Sequence, residues 1–217
     1  MHGYLSSGKS FYKQIEYFKN NFNVYYPDLT GFGENKFMPY PYSLSDYAKE
    51  VYDYIEKNGL KNPCVIAHSF GGRVATKLAS EHTELFSKMV LCGSAGLKPK
   101  LTLKKAVKKG AFNFLKKFVP KERLSRFYSK DYNALPSVMK ESFKLIVSEH
   151  LDGVLGKIKT PTLVVYGTHD KETPPYMAKR FNKGIKNSLI LELNAGHFCF
   201  IDKPHEFNME VKEFLLS

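Results

Sequence analysis

The sequence predicts an α/β fold: a mostly parallel sheet with helices on both faces. Two observations carry this expectation. Apolar runs of strand length alternate with helical stretches along the chain, the order in which helices connect neighbouring parallel strands. The 217 residues are 43% hydrophobic, enough to bury a sizeable core without disulfide or metal staples.

In chain order, helices are expected at 9–20, 44–58, 70–82, 175–184 and 204–216, and strands near 22–27, 62–68, 87–93, 161–166 and 188–193. The second strand, ending Val65-Ile66-Ala67-His68, stops at Ser69 and turns at once into a helix that opens Phe70-Gly71-Gly72. The fourth, Thr162-Leu163-Val164-Val165-Tyr166, breaks at Gly167 and delivers Asp170 into a loop that reaches Pro174 and Pro175. The fifth begins at Ser188 and leads into Ala195-Gly196-His197. Between Cys92 and Thr162 no strand signal appears. The chain therefore divides into a core of residues 1–94 and 160–217 and a helical insertion at 95–159.

Ser69 is the most informative residue. A serine between a buried strand and a helix sits on a cramped turn, where side-chain bulk on its neighbours would clash with sheet or helix. Ala67, Gly71 and Gly72 supply that smallness. The usual spacing is Gly-x-Ser-x-Gly, and Ala67-His68-Ser69-Phe70-Gly71 departs from it only by one methyl group. A serine needs a base to become a nucleophile, and the base needs an orienting acid. Asp170 and His197 follow downstream, each just past a strand.

With these residues in the order Ser, Asp, His, the chain resembles the α/β-hydrolase superfamily along nearly its whole length. Three further segments are similar to that family: His2-Gly3-Tyr4, the loop Tyr25 to Gly33, and Ala195 to Pro204. The resemblance implies a serine hydrolase, with an esterase acting on a small ester, thioester or amide as the default. Ser69 would attack a carbonyl, His197 would carry the proton, and Asp170 would orient the imidazole. Backbone N–H groups of Tyr4 and Phe70 would form the oxyanion hole. Losing one such donor costs roughly 3–4 kcal/mol of transition-state stabilisation. Carbon–carbon hydrolysis, aminopeptidase and perhydrolase chemistry share the same three residues and stay open, and no metal or organic cofactor is implied. A dehalogenase is disfavoured, since that branch places aspartate where Ser69 stands.

Other titratable residues have plainer readings. His68 and His169 are expected as loop or pocket-wall residues, because neither fills the Gly-His slot. His2 is expected to brace its loop, Asp28 to be structural, and Asp202 to cap the last helix. Cys64, Cys92 and Cys199 read as reduced core residues without metal-type spacing. No apolar stretch is long enough to span a bilayer and no basic-then-apolar leader opens the sequence, so a cytoplasmic protein is expected.

The charge is concentrated in the insertion. Residues 98–130 hold twelve Lys or Arg against one Glu, a balance of +11 out of +12 for the chain. Leu103, Val107, Phe114 and Phe118 form an apolar stripe among lysines, an amphipathic basic helix. By the resemblance the insertion is a lid, which turns its stripe inward and its lysines to water. Weak contact with anionic membranes or acidic ligands is the alternative, whereas no nucleic-acid-binding motif is present. A second lid helix is expected within 129–151, packing Val138, Phe143, Leu145 and Ile146 on the core.

The departure from the family lies at the front. Members lead into His-Gly through a hairpin and a third strand, but here Met1 directly precedes His2. The missing strand would lie beside residues 64–67, leaving an unpaired edge in the core. A start placed too far downstream, a fragment, or a degenerate and non-catalytic copy that only binds ligand would each explain this. Retention of Ser69, Asp170 and His197 favours the first two.

Overall fold

A computed structural model describes residues 1–100 and 134–217. In chain order the elements are α1 (Tyr12–Phe18), α2 (Leu44–Lys57), β1 (Val65–His68), α3 (Phe70–Glu81), β2 (Met89–Cys92), α4 (Ser137–Ser148), β3 (Thr162–Gly167), α5 (Pro175–Gly184), β4 (Ser188–Leu193), α6 (Cys199–Asp202) and α7 (Pro204–Leu216). The strands form one parallel sheet in the spatial order β1-β2-β3-β4. The predicted α/β class is therefore the observed one. The predicted basic helix falls outside the described residues.

Side chains that alternate along a strand point to opposite faces, and this sorts the core into two layers. Val65, Ala67, Met89, Leu91, Val164 and Tyr166 pack with α2, α3 and α5. Val90, Cys92, Leu163, Val165 and Leu193 pack with α6, α7 and the Phe11 and Phe18 rings around α1. Phe181, Phe200 and Phe207 are completely buried, each contributing about 1.5–3 kcal/mol of hydrophobic stabilisation.

The helix starts follow local chemistry. Ser43 and Asp46 form a reciprocal capping box at the head of α2, satisfying two backbone donors that no helical carbonyl can reach. Pro175 and Pro204 open α5 and α7, where a missing N–H costs nothing. Helix α4 is fastened to α3 by Arg73, which donates to the carbonyls of Ile146 and of Glu149, the latter at 2.7 Å. A cation there satisfies orphan C-terminal carbonyls and the helix dipole together. Ile146 is buried and Val138 packs against the core, but Leu145, expected to pack there too, is 46% exposed. Ser142 and Ile146, four residues apart, share the buried face, while Leu145 lies about 100° around the helix from Ile146, and Ser142 donates to Tyr42 O at 2.7 Å.

The expected strand at 22–27 does not form; residues 23–29 are neither helix nor strand. A strand needs a partner for its amide groups, and the sheet ends at β1. Among the described residues, Met1 continues the ladder. Its amino group donates to Ile66 O at 2.6 Å, and His68 N–H donates to Met1 O at 3.0 Å, the pattern of one parallel residue beside Ala67. Cys64, expected in the core, is exposed at the same open margin. Among the described residues, no helix is long and apolar enough to cross a membrane.

Burial lowers the pKa of the Met1 amine from 8.0 to about 5, and burial also lowers that of His2. Each base therefore binds protons more readily in the unfolded chain, so protons favour unfolding below the unfolded pKa. We expect the thermal midpoint to fall as pH drops from 8 toward 5. N-terminal acetylation should remove the upper part of that slope, leaving the histidine contribution below about pH 6.5. Midpoints recorded across pH on both forms check this, and superimposable profiles would refute the role of the amine.

Candidate active site

Ser69 occupies the junction of β1 and α3 with φ 50° and ψ −108°. For a side chain with a Cβ this is a strained backbone, costing about 1–3 kcal/mol. The surroundings hold it there. Ser69 N–H donates to Cys92 O at 3.0 Å, its carbonyl accepts from Arg73 and Ala95, and Gly71 N–H donates to His2 O at 3.0 Å. The small residues named from the sequence are required by this crowding. A Cβ on Gly71 would stand 2.5 Å from Met1 O, and one on Gly72 would stand 2.4 Å from Ser94 Oγ. Ala67 is fully buried beneath the turn.

Asp170 and His197 come from the loops after β3 and β4 and meet directly, with His197 Nδ1 and Asp170 Oδ2 2.8 Å apart. The carboxylate can only accept, so Nδ1 carries a proton, and in the neutral imidazole the lone pair is on Nε2. Asp170 is 3% exposed. Burial alone would raise its pKa, but hydrogen bonds from His197 and from Thr173 outweigh it and hold the pKa below the usual carboxylate range. Its other oxygen accepts from Glu172 N–H at 2.8 Å and Thr173 N–H at 2.9 Å. Asp170 and His197 are thus joined by a hydrogen bond. Ser69 stands at the end of β1, with β2 between it and β3, directly after a residue whose ring packs on His197.

That residue is His68, expected as a loop or pocket-wall histidine and found instead as the last residue of β1, 2% exposed. Its ring centroid lies 4.6 Å from that of His197, and its Nε2 donates to His197 O at 3.1 Å. Burial, and then the neighbouring His197, push its pKa down to about 3, so it is a neutral buttress. Asp202 is likewise corrected. It does not cap α7 but accepts Gly196 N–H at 3.1 Å, securing the turn that presents His197. The first role depends on two segments 129 residues apart meeting, for which sequence is no guide, and the second on how the six-residue span from Gly196 to Asp202 folds.

The remaining expectations fall as follows. His2 does brace its loop: Leu29 N–H donates to Nε2 at 3.0 Å, and Nδ1 lies 2.8 Å from Gly3 O. Asp28 is structural, accepting from Gly8 N–H and Glu34 N–H. His169 is exposed beside Thr168. Tyr4 anchors to α4 through its hydroxyl on Met139 O at 3.2 Å, with its ring against Phe32, Phe70 and Phe143. Phe70 opens α3, so its N–H is one of the four that no helical carbonyl can reach. Cys92 and Cys199 are buried thiols with sulfurs 3.2 Å apart, and burial raises the Cys92 pKa. Among the described residues, no group of three His, Cys, Asp or Glu side chains gathers as metal ligands would.

Sequence reasoning missed Thr173. Its hydroxyl lies 2.7 Å from Asp170 Oδ2, 2.9 Å from Gly93 O and 3.3 Å from His197 Nδ1. The available signal was Asp-x-x-Thr, a spacing at which an aspartate folds its own loop through local side-chain to backbone bonds. Thr173→Val keeps the shape and removes the donor. We expect a loss of about 1–3 kcal/mol in urea unfolding, restored by Thr173→Ser.

The family model for the alpha/beta hydrolase fold matches residues 1–119 and 120–204. The chain is 27% identical to the uncharacterized hydrolase YugF of Bacillus subtilis, over 99% of this chain and 88% of that protein. It is 25% identical to the pyrrolizixenacetamide deacetylase of Xenorhabdus hominickii, over 91% and 82% respectively. Among solved structures, an esterase from Exiguobacterium antarcticum shares the fold with a TM-score of 0.78 at 22% identity, covering all of this chain and 90% of that one. With the matched residues spanning nearly the whole sequence, the chain belongs to the alpha/beta hydrolase fold family.

Proposed function

We propose that the protein is a serine hydrolase working through an acyl-enzyme, with a carboxylesterase-like preference for a small ester, thioester or amide. The observation that carries this reading is the buried hydrogen bond from His197 to Asp170 beside a serine in a strained strand-to-helix turn. Ser69 Oγ attacks the carbonyl while His197 Nε2 accepts the hydroxyl proton and then passes it to the leaving group. Water, deprotonated by the same imidazole, releases the acid. Asp170 stays ionised and fixes the tautomer, which its four hydrogen bonds favour. Backbone N–H groups of Tyr4 and Phe70 receive the oxyanion, and residues 95–159 form a lid over the acyl or alcohol pocket. Several relatives bear the names of ester or amide hydrolases, among them a pimeloyl-[acyl-carrier protein] methyl ester esterase of Wigglesworthia glossinidia brevipalpis.

The test is a fluorophosphonate probe together with a panel of p-nitrophenyl esters. Labelling is expected for the unmodified chain and is expected to vanish in Ser69→Ala, with kcat reduced by about 10⁴-fold or more. Asp170→Asn should keep the probe site but lower kcat about 10³–10⁴-fold, because the amide favours the wrong imidazole tautomer. Undiminished labelling of Ser69→Ala would assign the nucleophile elsewhere. A folded chain that no probe labels would instead be a non-catalytic, ligand-binding member of the family.

A further inference from the structure

Two of the three cysteines lie together beneath the site. Cys92 ends β2 and Cys199 opens α6, and both are fully buried in the apolar layer that holds Val90, Val165, Leu193, Phe200 and Phe207. Their sulfurs stand 3.2 Å apart. A disulfide bond is about 2.05 Å long, so an approach of about 1.2 Å separates the pair from a covalent link.

The backbone around each cysteine carries part of the site. Cys92 O accepts Ser69 N–H at 3.0 Å, and the carbonyl of the next residue, Gly93, accepts the Thr173 hydroxyl at 2.9 Å. Gly93 is packed so closely that a Cβ there would stand 3.3 Å from both Asp170 Oδ2 and His197 Nδ1. Cys199 follows His197 by two residues, and the His197 carbonyl is held by His68 Nε2 at 3.1 Å. The two cysteines are 107 positions apart in the chain, and that span contains the whole insertion together with β3 and β4. A bond between them would tie the strand end that holds the Ser69 turn to the loop that presents His197.

We propose that Cys92 and Cys199 are a dithiol that hydrogen peroxide converts, reversibly, into a disulfide clamp across the floor of the site. The Cys199 sulfur attacks a peroxide oxygen, the O–O bond breaks, and a sulfenic acid and one water are formed. The Cys92 sulfur then attacks the Cys199 sulfur, the S–O bond breaks, and the hydroxide leaves with the Cys92 proton as a second water. Two thiols are oxidised to one disulfide while one peroxide is reduced to two waters. Cys199 reacts first because it directly follows Phe198, which is 45% exposed, so that a local opening of this loop uncovers it, whereas Cys92 lies on an interior strand. Burial, which raises the Cys92 pKa, also keeps that thiol from reacting first. Its attack on the adjoining sulfenic acid is intramolecular and needs no encounter with a second molecule. The oxidant is small and uncharged because apolar side chains wall the pair. This inference is independent of the proposed hydrolase activity, and its readouts do not use that activity.

The test treats the folded full chain carrying Cys64→Ser, which removes the exposed thiol, with millimolar hydrogen peroxide over several hours. Peptide mass spectrometry should find Cys92 and Cys199 in one cross-linked species, about 2 Da lighter than the sum of its two peptides, and dithiothreitol should restore both thiols. The linked form should melt about 5 °C or more above the reduced form, because the bond closes a long loop. Amide hydrogen exchange at Gly196 and Lys203 should slow about tenfold or more. In the same background Cys199→Ala, or Cys92→Ala where the first variant folds poorly, should show neither the cross-link nor the thermal shift. Two free thiols in the folded chain after a day in peroxide would overturn the proposal. So would a gain of about 32 Da at either cysteine without a cross-link, the mark of a sulfinic acid. A linked form that melts below the reduced one would also refute the clamp.

Discussion

In a parallel sheet every strand ends on the same rim, so the register that pairs His68 with Cys92 and Cys92 with Val165 gathers the residues that follow these strands. Ser69 comes directly after β1, Gly93 directly after β2, and the loops after β3 and β4 return with Asp170 and His197. Each of these loops is free to vary because the ladders below it are not. The site's geometry is inherited from backbone pairing that involves none of its side chains.

What the rim then requires is a way to hold buried polar groups without leaving any unpaired. Asp170 is nearly inaccessible and stays ionised because His197, Glu172 and Thr173 all donate to it. His68 meets the same demand differently, remaining neutral and donating to the backbone of the residue it supports. The strain at Ser69 belongs to the same economy of space, since a left-handed serine is tolerable only where Gly71 and Gly72 let Met1, His2 and Ser94 press close. The contacts that hold the turn are thus the same ones that fix the Ser69 backbone at the end of β1.

The opposite margin of the sheet shows what happens where pairing stops. Residues 22–27 are rich in aromatic and β-branched side chains, but propensity is a preference for a pleated, half-buried surface and supplies no partner. Among the described residues no strand lies beside this segment, residues 23–29 are irregular and Cys64 is exposed. A local pattern was legible there and was overruled by the absence of a neighbour.

The sequence by itself determined the alternation of strands and helices, the small residues around Ser69, the chain order of Ser69, Asp170 and His197, and the modest roles of His2 and Asp28. These are properties of short windows, where side-chain size, periodicity and turn chemistry act over a few residues. Only the tertiary structure decided that His68 rather than a loop residue supports His197, that Asp202 pins the Gly196 turn instead of capping α7, that Thr173 completes the shell of Asp170, and that Leu145 faces water while Ile146 does not. The physical reasons are two. His68 and Leu145 depend on which distant loop or helix face arrives within reach, whereas Thr173 and Asp202 act within three and six residues of their partners and depend on how the loop between them folds against the neighbouring strand ends.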